Sequence, residues 1–147
     1  MYNVLILWAP DSAETRKVAE TVRAAFNEGR FKTILKKADE SSIVDVAAAD
    51  VVIFGVQKSG SAEVPPEYSE LLRVFKGVTL AGRAAGVFSV GSEKASSKMK
   101  KSLKDTEVAL FEEDALFSNE KQDKASDVGD WARKLAGFFQ EVRSARE

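Results

Sequence analysis

Two hydroxyls, Ser12 and Thr15, stand where a short apolar run, Val4-Leu5-Ile6-Leu7-Trp8, gives way to a polar loop and then to a helical pattern. In that pattern Thr15, Val18, Ala19, Val22, Ala25 and Phe26 fall on one face at i, i+3, i+4 and i+7. A buried strand feeding a helix N-terminus leaves the first-turn N–H groups unpaired, at the positive end of the helix dipole. Hydroxyls beside such amides are donors for an anion, a phosphate above all. Little other chemistry is available. Cysteine and histidine are both absent, which removes disulfides, thiolate nucleophiles, serine–histidine triads and the commonest zinc ligand. No residue set pairs as general acid, base or nucleophile, so turnover by side chains is not expected.

The same loop carries two acids, Asp11 and Glu14. They repel an incoming phosphate, and Pro10 removes one backbone donor. A second reading therefore stands beside the first. Asp11-x-x-Glu14 has the form of a capping box, in which Asp11 accepts from the first-turn amides and Glu14 reaches back. On that reading the helix satisfies itself and needs no anion.

The elements that must position these residues follow in order. Arg30 to Ala38 reads as a second strand, at an edge, with lysines that blunt edge pairing. A connector with a helical turn around Ile43, Val44 and Val46 leads to Val51-Val52-Ile53-Phe54-Gly55-Val56, nearly all apolar. That composition fits a central parallel strand covered on both faces. A loop from Gln57 to Pro66 precedes a helix whose buried stripe is Tyr68, Leu71, Leu72 and Phe75. Arg83 to Val90 is the fourth strand. The next helix turns Met99 and Leu103 inward and Lys98, Lys100, Lys101 and Lys104 outward. Val108 to Phe117 is a fifth strand with a break at Glu112-Glu113-Asp114. The last helix holds Val128, Trp131, Ala132, Leu135, Phe138, Phe139 and Val142 on one face, with Ser126 or Asp127 as its cap. Strands alternating with helices give one α/β domain over residues 1–147, a doubly wound parallel sheet of (βα)5 type.

With 147 residues, roughly 68–70% of the unfolded surface can be buried, enough for a core without staples. The formal net charge of −1 calls for neither nucleic acid nor anionic membrane. No apolar run approaches the roughly 20 residues of a membrane span, and the N-terminus lacks a signal-peptide succession. The expected compartment is the cytoplasm and the expected state a monomer.

Over its whole length the chain resembles a short-chain flavodoxin. The resemblance rests on the first strand–loop–helix, Gly55 near the end of the third strand, the loop to Tyr68, Gly91 after the fourth strand, and the terminal Asp127-Val128-Gly129-Asp130-Trp131-Ala132. The insertion that splits the fifth strand of long-chain flavodoxins is missing. The resemblance implies a flavodoxin-like five-stranded sheet in the order 2-1-3-4-5 with helices on both faces, FMN as cofactor, and electron transfer with a redox partner protein. It implies three cofactor loops. In the first, the family pattern Ser/Thr-x-Thr-Gly-x-Thr falls on Pro10, Asp11, Ser12, Ala13, Glu14 and Thr15, where Ser12 and Thr15 match. The second is Gln57, Lys58, Ser59 and Gly60, with Ser59 near the position of a stacking tryptophan. The third contains Ser89, Val90, Gly91, Ser92 and Lys94, without the usual tyrosine. Loss of both stacking rings weakens a flavin site by roughly 0.5–1.5 kcal/mol each without forbidding it, and glycine still permits close backbone approach. Tyr68 and Trp8, the nearest aromatics, read as core or rim residues.

Three functions are weighed. One is an FMN-binding electron carrier. The second is a binding module on the same fold that has lost FMN. The third, a phosphoacceptor receiver domain, fails because it needs an aspartate ending strand three, where this chain has Gly55-Val56-Gln57. The lysines from Lys94 to Lys104 suit either an acidic redox partner or a solvated helix face.

Overall fold

The computed structural model describes residues 1–58, 64–113, 115–117 and 125–146. Six strands form one parallel sheet: β1 (Tyr2–Ala9), β2 (Phe31–Lys37), β3 (Val51–Gln57), β4 (Ala84–Val90), β5 (Ala109–Leu110) and β6 (Leu116–Phe117). Their order is β2-β1-β3-β4-β5, with β6 also on β4. This is the expected 2-1-3-4-5 order, with the fifth strand divided at the expected acidic break. Among the described residues five α-helices cover the sheet: α1 (Ala13–Asn27), α2 (Ile43–Ala47), α3 (Ser69–Phe75), α4 (Glu93–Leu103) and α5 (Ala125–Arg146).

Period-two alternation sorts the apolar residues onto two faces. Val4, Ile6, Trp8, Val51, Ile53, Ala84, Phe88 and Val90 pack with Ala19, Val22 and Phe26 of α1 and with Val128, Trp131, Leu135 and Phe139 of α5. Leu5, Leu7, Val52, Phe54, Val56, Ala85 and Val87 pack with Val46 of α2, Leu71 and Phe75 of α3, and Met99 and Leu103 of α4. β3 and β4 are buried on both faces because each lies between two neighbours and under two helix layers. β2 is the free edge and keeps Lys32 and Ile34 exposed.

Two helix starts differ from expectation. α5 begins at Ala125, so Asp127 lies in its first turn rather than at its cap, where its charge still suits the dipole. Ser126 lies within the same turn. The start of α1 is taken up below. α2 has a complete capping box that the sequence reading passed over: Ser42 Oγ accepts from Asp45 N–H, and Asp45 accepts from Ser42 N–H at 3.0 Å. That second bond, more than the nearby Lys36, holds the Asp45 carboxyl below its ordinary pKa.

Tyr68 is fully buried and donates from its hydroxyl to Gly55 O at 2.7 Å. Burial raises its pKa well above the ordinary phenol value, because the charged form is penalised. The unfolded phenol ionises near pH 10, so above that pH the folded state holds a proton that the unfolded state has lost. Stability from this group is full below about pH 10 and falls as pH rises toward the folded pKa, by up to about 1.4 kcal/mol per pH unit. Tyr68→Phe is expected to lose about 1 kcal/mol near neutrality. Chemical denaturation from pH 8 to 11 should then show the wild type's advantage shrinking above pH 10. A constant advantage would mean that Tyr68 titrates normally.

Candidate functional site

The carboxyl ends of β1, β3 and β4 lie side by side. Ala9 pairs with Val56, and Gln57 pairs with Val90. The loops that follow these strands therefore leave the same edge of the sheet. This is where open α/β folds place ligands.

Beyond β1, the Ala9–Pro10 peptide is cis. Ser12 N–H donates to Pro10 O at 2.8 Å, which tightens the turn. Ser12 is the N-cap of α1, in extended backbone, and its Oγ accepts from Thr15 N–H. The Asp11–Glu14 capping box is not formed. Asp11 precedes the capping position by one residue, and its carboxylate instead accepts from Lys37 Nζ at 3.1 Å. The pair raises the Lys37 pKa, chiefly through that hydrogen bond. β2 lies beside β1 with Lys37 opposite Trp8, so the lysine ends next to the loop. One of the two acids that threatened an anion site is thus neutralised by its neighbour. Both ends of the pair are solvent-exposed, so it contributes little stability.

The hydroxyls converge. Thr15 is fully buried. Thr15 Oγ1 and Ser12 Oγ donate to Gln57 Oε1 at 2.7 and 2.6 Å, and the two hydroxyl oxygens are 2.9 Å apart. Each hydroxyl has one proton, so these three contacts share two protons. Gln57 Nε2 donates to Glu14 Oε2 at 3.1 Å. This orientation of the carboxamide gives every group a complementary partner; the flipped one would set Oε1 against the Glu14 carboxylate. The N–H groups of Ala13 and Glu14 have no partner among the described residues. The site thus presents two hydroxyls and two amides at the positive end of a helix.

The other expected positions fall as follows. Lys58 is exposed, while Ser59 and Gly60 lie outside the described residues. Val90 is buried against the α1–α5 layer. Gly91 has φ +71°, a left-handed conformation that favours glycine, and its N–H donates to Phe117 O. Ser92 caps α4 by accepting from Ala95 N–H, and Lys94 is exposed. Ser89 is fully buried and its hydroxyl has no partner among the described residues. It lines a cavity of about 140 Å³ with Glu93, Ser96, Ser97, Lys100, Ala115 and Leu116, under α4. Trp8 is 5% exposed and Tyr68 fully buried, so both belong to the core, as the sequence suggested.

A cavity of about 260 Å³ lies elsewhere. It is lined by Asn3, Leu5, Ile34 and Asp45, beside α2. Its polar lining is Asn3, Lys32 and Asp45, and Asn3, Val4 and Leu5 place it at the amino-terminal half of β1. Among the described residues no helix is long and apolar enough to cross a membrane, and no group of three or more His, Cys, Asp or Glu could hold a metal.

Solved structures of the same shape decide the fold. The flavodoxin of Streptococcus pneumoniae TIGR4 superposes with a TM-score of 0.80 at 20% identity, over 92% of this chain and 98% of its own. Flavodoxin 2 of Bacillus cereus, in its oxidised form, gives 0.82 at 20% identity over 92% and 98%. The fold is that of a flavodoxin. The flavodoxin of Fusobacterium nucleatum, solved with flavin mononucleotide, gives 0.77 at 12% identity over 95% and 99%. No family profile matches the chain, and no curated protein matches it in sequence. The flavodoxin likeness is therefore one of three-dimensional architecture.

Gln57 is the residue whose role the sequence did not show. It was assigned to a loop framing the flavin ring, yet its side chain is tied to the first loop. The Lys37–Asp11 pair was also missed. Its signal was available, since a lysine ending β2 must lie beside the loop after β1 once the order 2-1-3 is assumed.

Proposed function

We propose that this chain binds FMN and carries electrons. The observation that supports this most is the convergence of Ser12 and Thr15 hydroxyls with the open Ala13 and Glu14 amides, at the switch edge of a flavodoxin fold. That donor set suits a phosphate dianion. Asp11 no longer opposes it, being paired with Lys37. Ser12, Thr15 and the two amides would hold the phosphate. The segments Gln57–Gly60 and Ser89–Ala95 would frame the ring, the Gln57 side chain itself being turned to the first loop rather than to the ring. FMN itself supplies the electron-transfer chemistry; the chain's part is to hold it, orient it and tune its surroundings.

A second reading, a flavodoxin-fold interaction module without cofactor, is favoured by one observation. Gln57 already satisfies both hydroxyls. Purification separates the readings. A yellow protein that releases FMN on denaturation, or a colourless one that takes up added FMN, supports the first. A colourless protein that refuses FMN supports the second.

Lys58 and Lys94 stand in the two ring segments and are exposed. An added negative charge near a flavin opposes electron uptake. Lys58→Glu and Lys94→Glu are therefore expected to lower the reduction potential of the FMN-loaded protein, more at low ionic strength than at high. Unchanged potentials in a redox titration would place both lysines too far from the ring to matter.

A further inference from the structure

We propose that Gln57 is an internal latch: its carboxamide oxygen occupies the phosphate donors of the ligand-free chain and must swing out before the cofactor's phosphate can enter. The proposal rests on the FMN reading above.

The geometry is specific. Gln57 Oε1 stands 2.6 Å from Ser12 Oγ and 2.7 Å from Thr15 Oγ1, close to where an anion oxygen shared by the two hydroxyls would sit. Gln57 Nε2 is held by Glu14, a residue of the same loop. The side chain thus bridges the end of β3 to both sides of the first turn of α1. A phosphate oxygen and Gln57 Oε1 cannot share those two hydroxyl protons. The hydroxyls have none to spare, since two protons already serve three contacts. A phosphate has the advantage of charge and of further oxygens for the Ala13 and Glu14 amides, whereas a carboxamide presents one neutral oxygen. The latch is therefore displaceable. It also screens Glu14, whose carboxylate would otherwise face the incoming phosphate. Release of Gln57 frees Glu14 to turn into water, where it is already exposed.

A closed state in competition with ligand lowers apparent affinity in proportion to the open fraction. The hydrogen bonds to the two hydroxyls, with the third to Glu14, keep that fraction at roughly a sixth or less. Gln57→Ala is accordingly expected to tighten FMN binding by about fivefold or more. Gln57→Met keeps the bulk of the side chain without a strong acceptor, and is expected to tighten binding in the same direction.

The test is isothermal titration of the wild type, Gln57→Ala and Gln57→Met with FMN and with riboflavin, which lacks the phosphate. The latch predicts tighter FMN binding by both variants and unchanged riboflavin binding. Equal gains for FMN and riboflavin would show that Gln57 merely crowds the ring, and would overturn the latch. Equal FMN affinity in all three proteins would overturn it while leaving the FMN reading intact. FMN bound by the variants but not by the wild type would support the latch and restrict the FMN reading to an unlatched state. No FMN bound by any of the three would overturn both.

Discussion

Gly55→Ala is expected to destabilise the protein by about 3 kcal/mol, the upper end of ordinary overpacking. In a chain of this size that lowers the melting temperature by roughly 6–12 °C. The reason lies across the β3–β4 ladder, where Gly55 pairs directly with Phe88. The Phe88 ring lies flat over the glycine, so a Cβ at position 55 would stand 2.2 Å from Phe88 Cζ and 2.8 Å from two further ring carbons. The ring cannot simply step aside, because Trp131 meets it edge-on at 6.3 Å and Phe117 lies at 6.5 Å. Both residues are in the fully enclosed layer between the sheet and α5. The carbonyl of Gly55 also receives the Tyr68 hydroxyl, so any backbone shift that relieves the clash strains that bond. If the ring is the cause, shrinking it should help. The double variant Gly55→Ala with Phe88→Leu should be more stable than the sum of its single changes predicts, by about 1–3 kcal/mol. Thermal denaturation of the four proteins measures this directly. Additive losses would mean that the glycine is required for some other reason.

Thr15→Val is expected to weaken FMN binding by about tenfold to a hundredfold. Hydrogen bonds to a charged partner contribute roughly 1.5–3 kcal/mol, and valine has the same shape without the hydroxyl. Thr15 is completely buried at the first turn of α1, so its side chain has one orientation and no solvent partner. Its loss removes a donor from Gln57 as well as from the phosphate. The net effect on affinity is therefore smaller than the gross one, and the folded state should lose about 1 kcal/mol. Thr15→Ser keeps the hydroxyl and should stay near wild-type affinity. Riboflavin affinity should not change in either variant. Equal losses for FMN and riboflavin, or a Thr15→Ser as weak as Thr15→Val, would remove Thr15 from the phosphate site.

The fold was legible because its signals are local. β1, β3 and β4 read as near-continuous apolar runs, which only doubly covered parallel strands require. The faces of α1 and α5 follow a 3.6-residue period strongly enough to identify the buried stripes residue by residue. Even the division of the fifth strand was announced by three successive acids. Cap positions were less legible. Asp11 and Ser12 are both good caps, and what decides between them is the backbone. Ser12 has the extended conformation with its oxygen over the Thr15 amide, while the Asp11 carboxylate pairs with Lys37. At α5, Ser126 and Asp127 looked like a start signal but lie inside the first turn, which begins at Ala125. Least legible was the meeting of Gln57 with Ser12 and Thr15. It joins side chains more than forty positions apart. The strand order brings their backbones together, but nothing in the residue types says that a glutamine will fill the space between the two hydroxyls.

The divided edge of the sheet has a use in protein engineering. Ala85 pairs with Leu110 and Ser89 with Leu116, so four steps along β4 are matched by six along the edge. The surplus is even. Because side chains alternate with period two, an even surplus leaves each side chain on its proper face: Leu110 stays with the α4 layer, and Phe117 with Trp131 and Phe88. The two short segments are thus held by β4 independently of one another, and by Trp131 Nε1 donating to Glu113 O. Chain added after Glu113 need not disturb either pairing or that hydrogen bond, provided the added residues return in phase. The entropy of closing a longer loop rises only slowly with its length. This is therefore the seam at which a tag, a binding loop or a whole second domain can be grafted while the core remains as it is.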